Sequence, residues 1–172
     1  DKIDPDTMFR KGYFYYSSSI GTLREHFKKY AEEIVDRFVS SPENTTILEF
    51  GCNDGVLLSP LADLKIGTLI GVDPASNVVK KIDDERFVLI DSYFDEKCAD
   101  NVVKEFGNVD LILANNVFAH VDDINGLTKA IDKALAKNGI FVFEVHYLGK
   151  IIDEMQYDMI YHEHIYYYSL LA

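Results

Sequence analysis

The stretch IYHEHIYYYS, residues 160–169, sets Tyr161, His162, Glu163 and His164 side by side and follows them with Tyr166, Tyr167 and Tyr168. A phenol, two imidazoles and a carboxylate at consecutive positions suit three kinds of role: metal binding, proton transfer, or the aromatic edge of a core. A zincin helix needs H-E-x-x-H, whereas His162 and His164 stand two apart and no third ligand follows at a suitable spacing, so no metal is expected. Proton transfer fits better. An imidazole titrates near neutrality, a neighbouring carboxylate can fix its tautomer, and a phenol can donate to a developing oxyanion. The blander reading, in which the tyrosines cover a core edge and the polar groups face water, stays open. Ser169, ahead of LLA, has the type and place of a helix N-cap.

A second set of polar residues stands where apolar runs stop. LEFGCNDGVLL places Glu49 before a turn with glycines at 51 and 55, which lets backbone approach a ligand closely. It is not the dinucleotide fingerprint, because Asn53 stands where a glycine is needed and an acid there crowds a pyrophosphate. An acid before such a turn suits a cationic ligand, such as the methionine end of S-adenosylmethionine. Asp73, about twenty residues after the turn, has the place of a ribose-binding carboxylate. In IDSYF, Asp91 can accept from an adenine amino group while the Ser92 amide donates to a ring nitrogen. ANNVFAHV ends with Asn115 and Asn116 at a strand edge. Each acid taken singly also reads as a helix N-cap. His120, His146 with Glu144, and His26 each admit a packing, capping or hydrogen-bonding role beside a functional one.

These residues need a frame that brings strand ends together. TILEF (46–50), TLIGVD (68–73), FVLID (87–91), VDLILAN (109–115) and IFVFEV (140–145) are short apolar runs of the kind strands show when both faces are covered. Helical patterns at 57–64, 78–82, 98–106 and 124–135 separate them. The alternation predicts an α/β fold, a doubly wound, Rossmann-like parallel sheet with helices on both faces and ligands at the strands' carboxyl ends. Ahead of it, Thr22 and Glu25 form a capping-box pattern, and Leu23, Phe27, Ala31, Ile34 and Phe38 recur at helical spacing to about Val39. Residues 1–21, ending in YFYYSSSIG, read as an irregular, aromatic- and serine-rich lead-in, and 22–172 as the domain proper.

The chain has 172 residues, 48% of them hydrophobic, enough for a sizeable core. Its net charge of -12 argues against nucleic acid or an anionic membrane surface as partner and for a small-molecule substrate. Two distant cysteines suggest neither a disulfide framework nor a zinc cluster. With no apolar leader and no run near the roughly 18 residues of a span, the reading is soluble and cytoplasmic.

The ordered set Glu49, Gly51, Gly55, Asp73, Asp91 and Asn115 resembles the class I S-adenosylmethionine-dependent methyltransferases over about residues 45–145. Together YFYYSSSIGTLREHF, LEFGCNDGVLL, ANNVFAHVDDI and YHEHIYYYSL resemble, more specifically, the C-methyltransferases of nucleotide-linked deoxysugars. The resemblance implies S-adenosylmethionine as cofactor and methylation of a carbon next to a keto group, through an enolate. It implies His164 as general base, Tyr161 and Glu163 as groups that position the sugar or polarise its oxygens, and Tyr15 or Tyr13 closing over the cofactor beside Asn53 and Ser92. Gathering Tyr161, Glu163 and His164 at one substrate requires a bend, since a strand would send neighbours to opposite faces. The class also implies two further strands, and the family a zinc module before this region and a second domain after it, so the domain is expected to be C-terminally incomplete. Transfer to another acceptor (O or N), a nicotinamide-dependent oxidoreductase, and a noncatalytic cofactor-binding domain of a larger enzyme stand as alternatives.

Overall fold

A computed structural model describes residues 4–10 and 12–171; Asp1–Ile3 and Lys11 of the lead-in, and Ala172 at the end of YSLLA, lie outside the described residues. Five strands, β1 (Thr46–Phe50), β2 (Thr68–Asp73), β3 (Val88–Asp91), β4 (Val109–Asn115) and β5 (Leu135–Glu144), form one sheet in the order β3-β2-β1-β4-β5. Every pairing is parallel. The helices are α1 (Gly21–Phe38), α2 (Leu58–Asp63), α3 (Ser76–Val79), α4 (Glu96–Phe106), α5 (Ile124–Ala134) and α6 (Leu148–Asp153).

Alternation along the central strands explains the two-sided core. Leu48 and Phe50 of β1, with Ile112 and Ala114 of β4, pack with α4 and α5, whereas Ile47, Leu111 and Leu113 pack with α1 and α2. Successive side chains point to opposite faces, so a strand covered on both sides must be apolar throughout. Parallel pairing also sends all five carboxyl ends to one rim, where Glu49 pairs across to Gly71 and Leu113, and Asn115 to Glu144.

Local details depart from the sequence pattern where backbone bonds take precedence. α1 starts at Gly21, and the Ile20 carbonyl accepts the Leu23 and Arg24 amides, so Thr22 lies inside the first turn and the capping box does not form. β5 begins at Leu135, directly after α5, because Leu135 already pairs with Val109; the register then shifts before Leu111 meets Ile140. The lead-in contains a π-helical turn at Asp6–Arg10 and a 3-10 turn at Ser17–Ser19. Ser169 Oγ accepts the Leu171 amide at 3.2 Å, the bond an N-cap side chain makes, and Ala172, where such a helix would continue, lies outside the described residues. The tail after α6 folds back onto the turn that follows β4. There the Ile165 amide donates to the Ala119 carbonyl at 2.7 Å and the Tyr168 hydroxyl to the Phe118 carbonyl at 3.1 Å. Among the described residues no helix is long and apolar enough to cross a membrane.

Leu48 is fully buried on the central strand. Leu48→Ala is expected to cost about 2–5 kcal/mol, measured by urea denaturation, because so enclosed a site cannot collapse around the lost volume.

Candidate active site

A cavity of about 620 Å³ opens at the carboxyl rim of the sheet. Glu49, Gly51, Asn53, Asp73 and Asn115 line it from the strand ends, and Phe9, Tyr13, Tyr15 and Ser17 of the lead-in line it too. The turn after β1 is shaped by its glycines. Gly51 has φ +70°, its amide donates to the Val72 carbonyl at 2.7 Å, and a Cβ there would sit 2.2 Å from Val117 Cγ2. No other residue fits so close an approach. Gly55, behind the cavity wall, also needs positive φ, +77°.

Asp73 holds the next turn together: it accepts the Asn53 amide at 2.9 Å and the Ala75 amide at 2.8 Å, and still faces the cavity. Burial pushes its carboxyl above the usual range, and those two amides oppose the rise. Asn53 itself spends both side-chain groups on the lead-in: Oδ1 accepts the Ser17 amide and Nδ2 donates to the Tyr15 carbonyl.

Glu49 is the most perturbed acid. Burial pushes its carboxyl up to about 8; the neighbouring Asn115 amide opposes this without reaching hydrogen-bonding geometry, and Asp73 and Asp54 add to it. Glu49 Oε2 and both polar side-chain atoms of Asn115 are buried without a partner. Buried polar groups are almost always satisfied, so unsatisfied ones facing a cavity are places where a ligand's polar groups fit. The next strand end is different. Asp91 accepts from Ser76 Oγ at 2.7 Å, lies 3.6 Å from Lys80 Nζ, and stands off the cavity wall. The Ser92 amide donates to the Ile90 carbonyl, and Tyr93 and Phe94 line the cavity instead.

The tail brings the opening motif to the same rim. Tyr161, His162 and Glu163 are exposed and lie in a turn closed by the His164 amide donating to the Tyr161 carbonyl, while His164 is buried. His164 Nδ1 lies 3.1 Å from the Met159 carbonyl, an acceptor only, so this nitrogen carries the proton and Nε2 keeps its lone pair. Burial lowers its pKa, with His120 and His146 adding to the fall and Met159 and Glu163 opposing it. The His164 ring lies 4.1 Å from that of Tyr161, 5.0 Å from His120 and 5.3 Å from His146. The partial desolvation of its ring, and then Glu163, raise the Tyr161 pKa above its ordinary value. Among the described residues no group of three or more His, Cys, Asp or Glu is disposed to hold a metal.

Two groups on the cavity wall were only faint in the sequence. His120 lines the cavity, bonds through Nδ1 to the Glu163 carbonyl at 2.8 Å, and packs against Phe9 at 5.5 Å. Phe9 lay in an aromatic-rich stretch with no periodicity to aim it, and His120 had a spacing compatible with mere packing. Elsewhere on the rim, Glu144 pairs with His26 at 2.7 Å and accepts from Asn116 at 2.9 Å, which makes these two residues a brace between α1 and the strand ends.

A family profile described as a methyltransferase domain matches residues 23–172. The chain belongs to the methyltransferase domain family. It is 30% identical over 168 residues to the C-methyltransferase NovU of Streptomyces niveus, covering 98% of this chain and 39% of NovU. The chain therefore spans less than half the length of that curated relative. A SAM-dependent methyltransferase from Archaeoglobus fulgidus superposes with TM-score 0.68 at 16% identity, covering 86% of this chain and 64% of the other. The plantazolicin methyltransferase BpumL, in complex with a pentazolic desmethylPZN analogue and SAH, superposes with TM-score 0.61 at 16% identity over 85% of this methyltransferase chain and 56% of its own. These structures share the fold of this chain's five-stranded parallel sheet and flanking helices over the residues that superpose.

The raised Glu49 carboxyl has a definite signature. A folded-state value near 8, against 4.5 ordinarily, means the carboxyl's stabilising protonated form is complete below about pH 4.5 and lost as pH rises to 8. Glu49→Gln is expected to gain stability relative to the unaltered protein across that window, by at most about 1.4 kcal/mol per pH unit, measured by denaturant unfolding at pH 5 and pH 8.5.

Proposed function

We propose that the cavity binds S-adenosylmethionine and that the chain carries the methyl-transfer site of an enzyme that methylates a carbon alpha to a ketone in a nucleotide-linked deoxysugar. The observation that carries the cofactor reading is the unpartnered Glu49 oxygen beside the unpartnered Asn115 amide in the cavity wall. Glu49 provides an anion for the cationic methionine end, Asp73 an acceptor for ribose hydroxyls, and Gly51 an open backbone approach. Asp91 and Ser92 lie at the strand end proper to the adenine, with Tyr93 and Phe94 as its wall; Asp91 reaches the base by releasing Ser76. When bound, the cofactor supplies an electrophilic methyl group on a sulfonium. NovU, similar over nearly all of this chain, is itself named a C-methyltransferase, which favours carbon as acceptor.

This chain's residues would then handle the proton. His164, neutral and with Nε2 unprotonated, is the base for the alpha proton. Tyr161, a phenol beside it, donates to the enolate oxygen, and Glu163 on the same turn orients the sugar. Tyr13 and Tyr15 form the cavity's lead-in wall and keep water from the methyl group. A second reading exchanges the histidines. His120 is on the cavity wall and His164 behind it, so His120 touches the substrate and passes its proton to His164.

Two measurements test these readings. Calorimetry with S-adenosylhomocysteine in buffers of different ionisation enthalpy is expected to show proton release at pH 7, because an ammonium beside Glu49 pulls its carboxyl down from about 8. Heat without proton transfer would remove Glu49 from the cation site. The second measurement follows deuterium entry at the alpha carbon of a nucleotide-linked keto sugar in heavy water. His164→Ala is expected to lower exchange by about 10²–10⁴ while S-adenosylhomocysteine still binds. If His164→Ala exchanges normally and His120→Ala does not, His120 is the base. In the unaltered protein exchange should persist to a pH below the ordinary histidine range before the base protonates.

A further inference from the structure

The turn after β1 departs from a glycine fingerprint at Asn53-Asp54, and the structure shows what these two side chains hold. Asn53, only 8% exposed, accepts the Ser17 amide at 3.0 Å and donates to the Tyr15 carbonyl at 3.0 Å. Asp54 accepts the Ser18 amide at 3.1 Å. Asn77 of α3 donates to the Tyr13 carbonyl at 2.6 Å. Four backbone groups between residues 13 and 18 are thus fixed by side chains of the turn after β1 and of α3, over 36 to 64 positions of sequence. The segment's other bonds include its own 3-10 turn, ring contacts of Tyr13 with Phe9 and Tyr15, and Lys81 over the Tyr16 ring. Among the described residues it carries no strand pairing, and the Tyr16 hydroxyl and Ser18 carbonyl accept from the exposed side chains of Lys81 and Arg24.

We propose that Asn53, helped by Asp54 and Asn77, is a positioning latch that holds residues 13–18 across the cavity so that Tyr13 and Tyr15 retain the bound adenosyl ligand. The proposal rests on the cofactor reading above. Asn53 is suited to the task by geometry as well as chemistry. Its φ of +49° is a conformation asparagine tolerates better than most residues, and an amide, unlike a carboxylate, can serve one acceptor and one donor at once. Its own backbone amide bonds to Asp73, so the latch and the ribose carboxylate share one rigid turn. Occupancy of Asp73 and closure of the segment are thereby linked.

The test uses Asn53→Gly, which keeps the left-handed backbone and the bond to Asp73 but removes both latch bonds. In the ligand-free protein, Ser17 amide hydrogen exchange is expected to accelerate at least tenfold, while the Gly51 amide, bonded to Val72, stays protected and shows the turn intact. S-adenosylhomocysteine is expected to dissociate at least tenfold faster, with thermal stability nearly unchanged. Asn53→Asp keeps an acceptor for Ser17 and loses the donor to Tyr15; it too should release the ligand faster. Ser17 exchange within twofold of the unaltered protein in Asn53→Gly would overturn the latch. A wild-type dissociation rate in both variants would overturn its role in retention. Failure of the unaltered protein to bind S-adenosylhomocysteine would instead sink the cofactor reading, and Ser17 exchange would still decide the latch.

Discussion

A carboxyl group buried at the end of the central strand, with one oxygen facing a cavity and no hydrogen-bond partner, is the constraint around which this rim is organised. Desolvation raises Glu49 so far that it is largely protonated at neutral pH. Filling the position with a leucine would be the cheaper solution for folding alone, since the rest of β1 is apolar and buried. The acid persists in a place where only a polar ligand can compensate it. Asn115, at the end of the adjacent strand β4, shares the same unsatisfied condition, and Asp73 on β2 avoids it by accepting two amides.

Parallel strands make this concentration possible. Residues far apart in sequence become neighbours because every strand ends on the same side, and the core on both faces keeps those ends at fixed spacing. Two irregular segments from opposite ends of the chain then dock on this rim, the lead-in lining the cavity and the tail packing behind its His120 wall. The lead-in is fastened by asparagine and aspartate side chains of the strand-end turns, and the tail by backbone bonds to the turn after β4. Neither segment carries a core of its own. Their order depends on the sheet, which is the usual relation between a rigid scaffold and the loops that do chemistry.

His164 shows how such docking creates chemistry from a common side chain. On an exposed strand it would titrate as an ordinary imidazole. Folded against His120, His146 and Tyr161, with Nδ1 committed to a carbonyl, it becomes a neutral base with one defined lone pair. The neighbouring His162, in the same turn, stays exposed.

The strands were legible from residue order because continuous apolar runs of five to seven residues admit few other states between glycine and polar breaks; the runs 46–50, 68–73 and 109–115 coincide with β1, β2 and β4. The acids and amides at their ends were legible for the same reason, since a parallel sheet assigns every strand end to one rim. Three things were settled only by folding. The capping box at Thr22 yielded to backbone bonds that local pattern cannot rank. Asp91 turned to Ser76 and Lys80, whose proximity depends on how α3 packs. Asn53, readable as a ligand contact, spends its side chain on Tyr15 and Ser17, 36 or more positions away, and His120 gained its place on the cavity wall from a tail more than 40 residues downstream. Periodicity records which face a residue presents; it carries no information about which distant segment will arrive to meet it, and that depends on the closure of the whole sheet and its flanking layers.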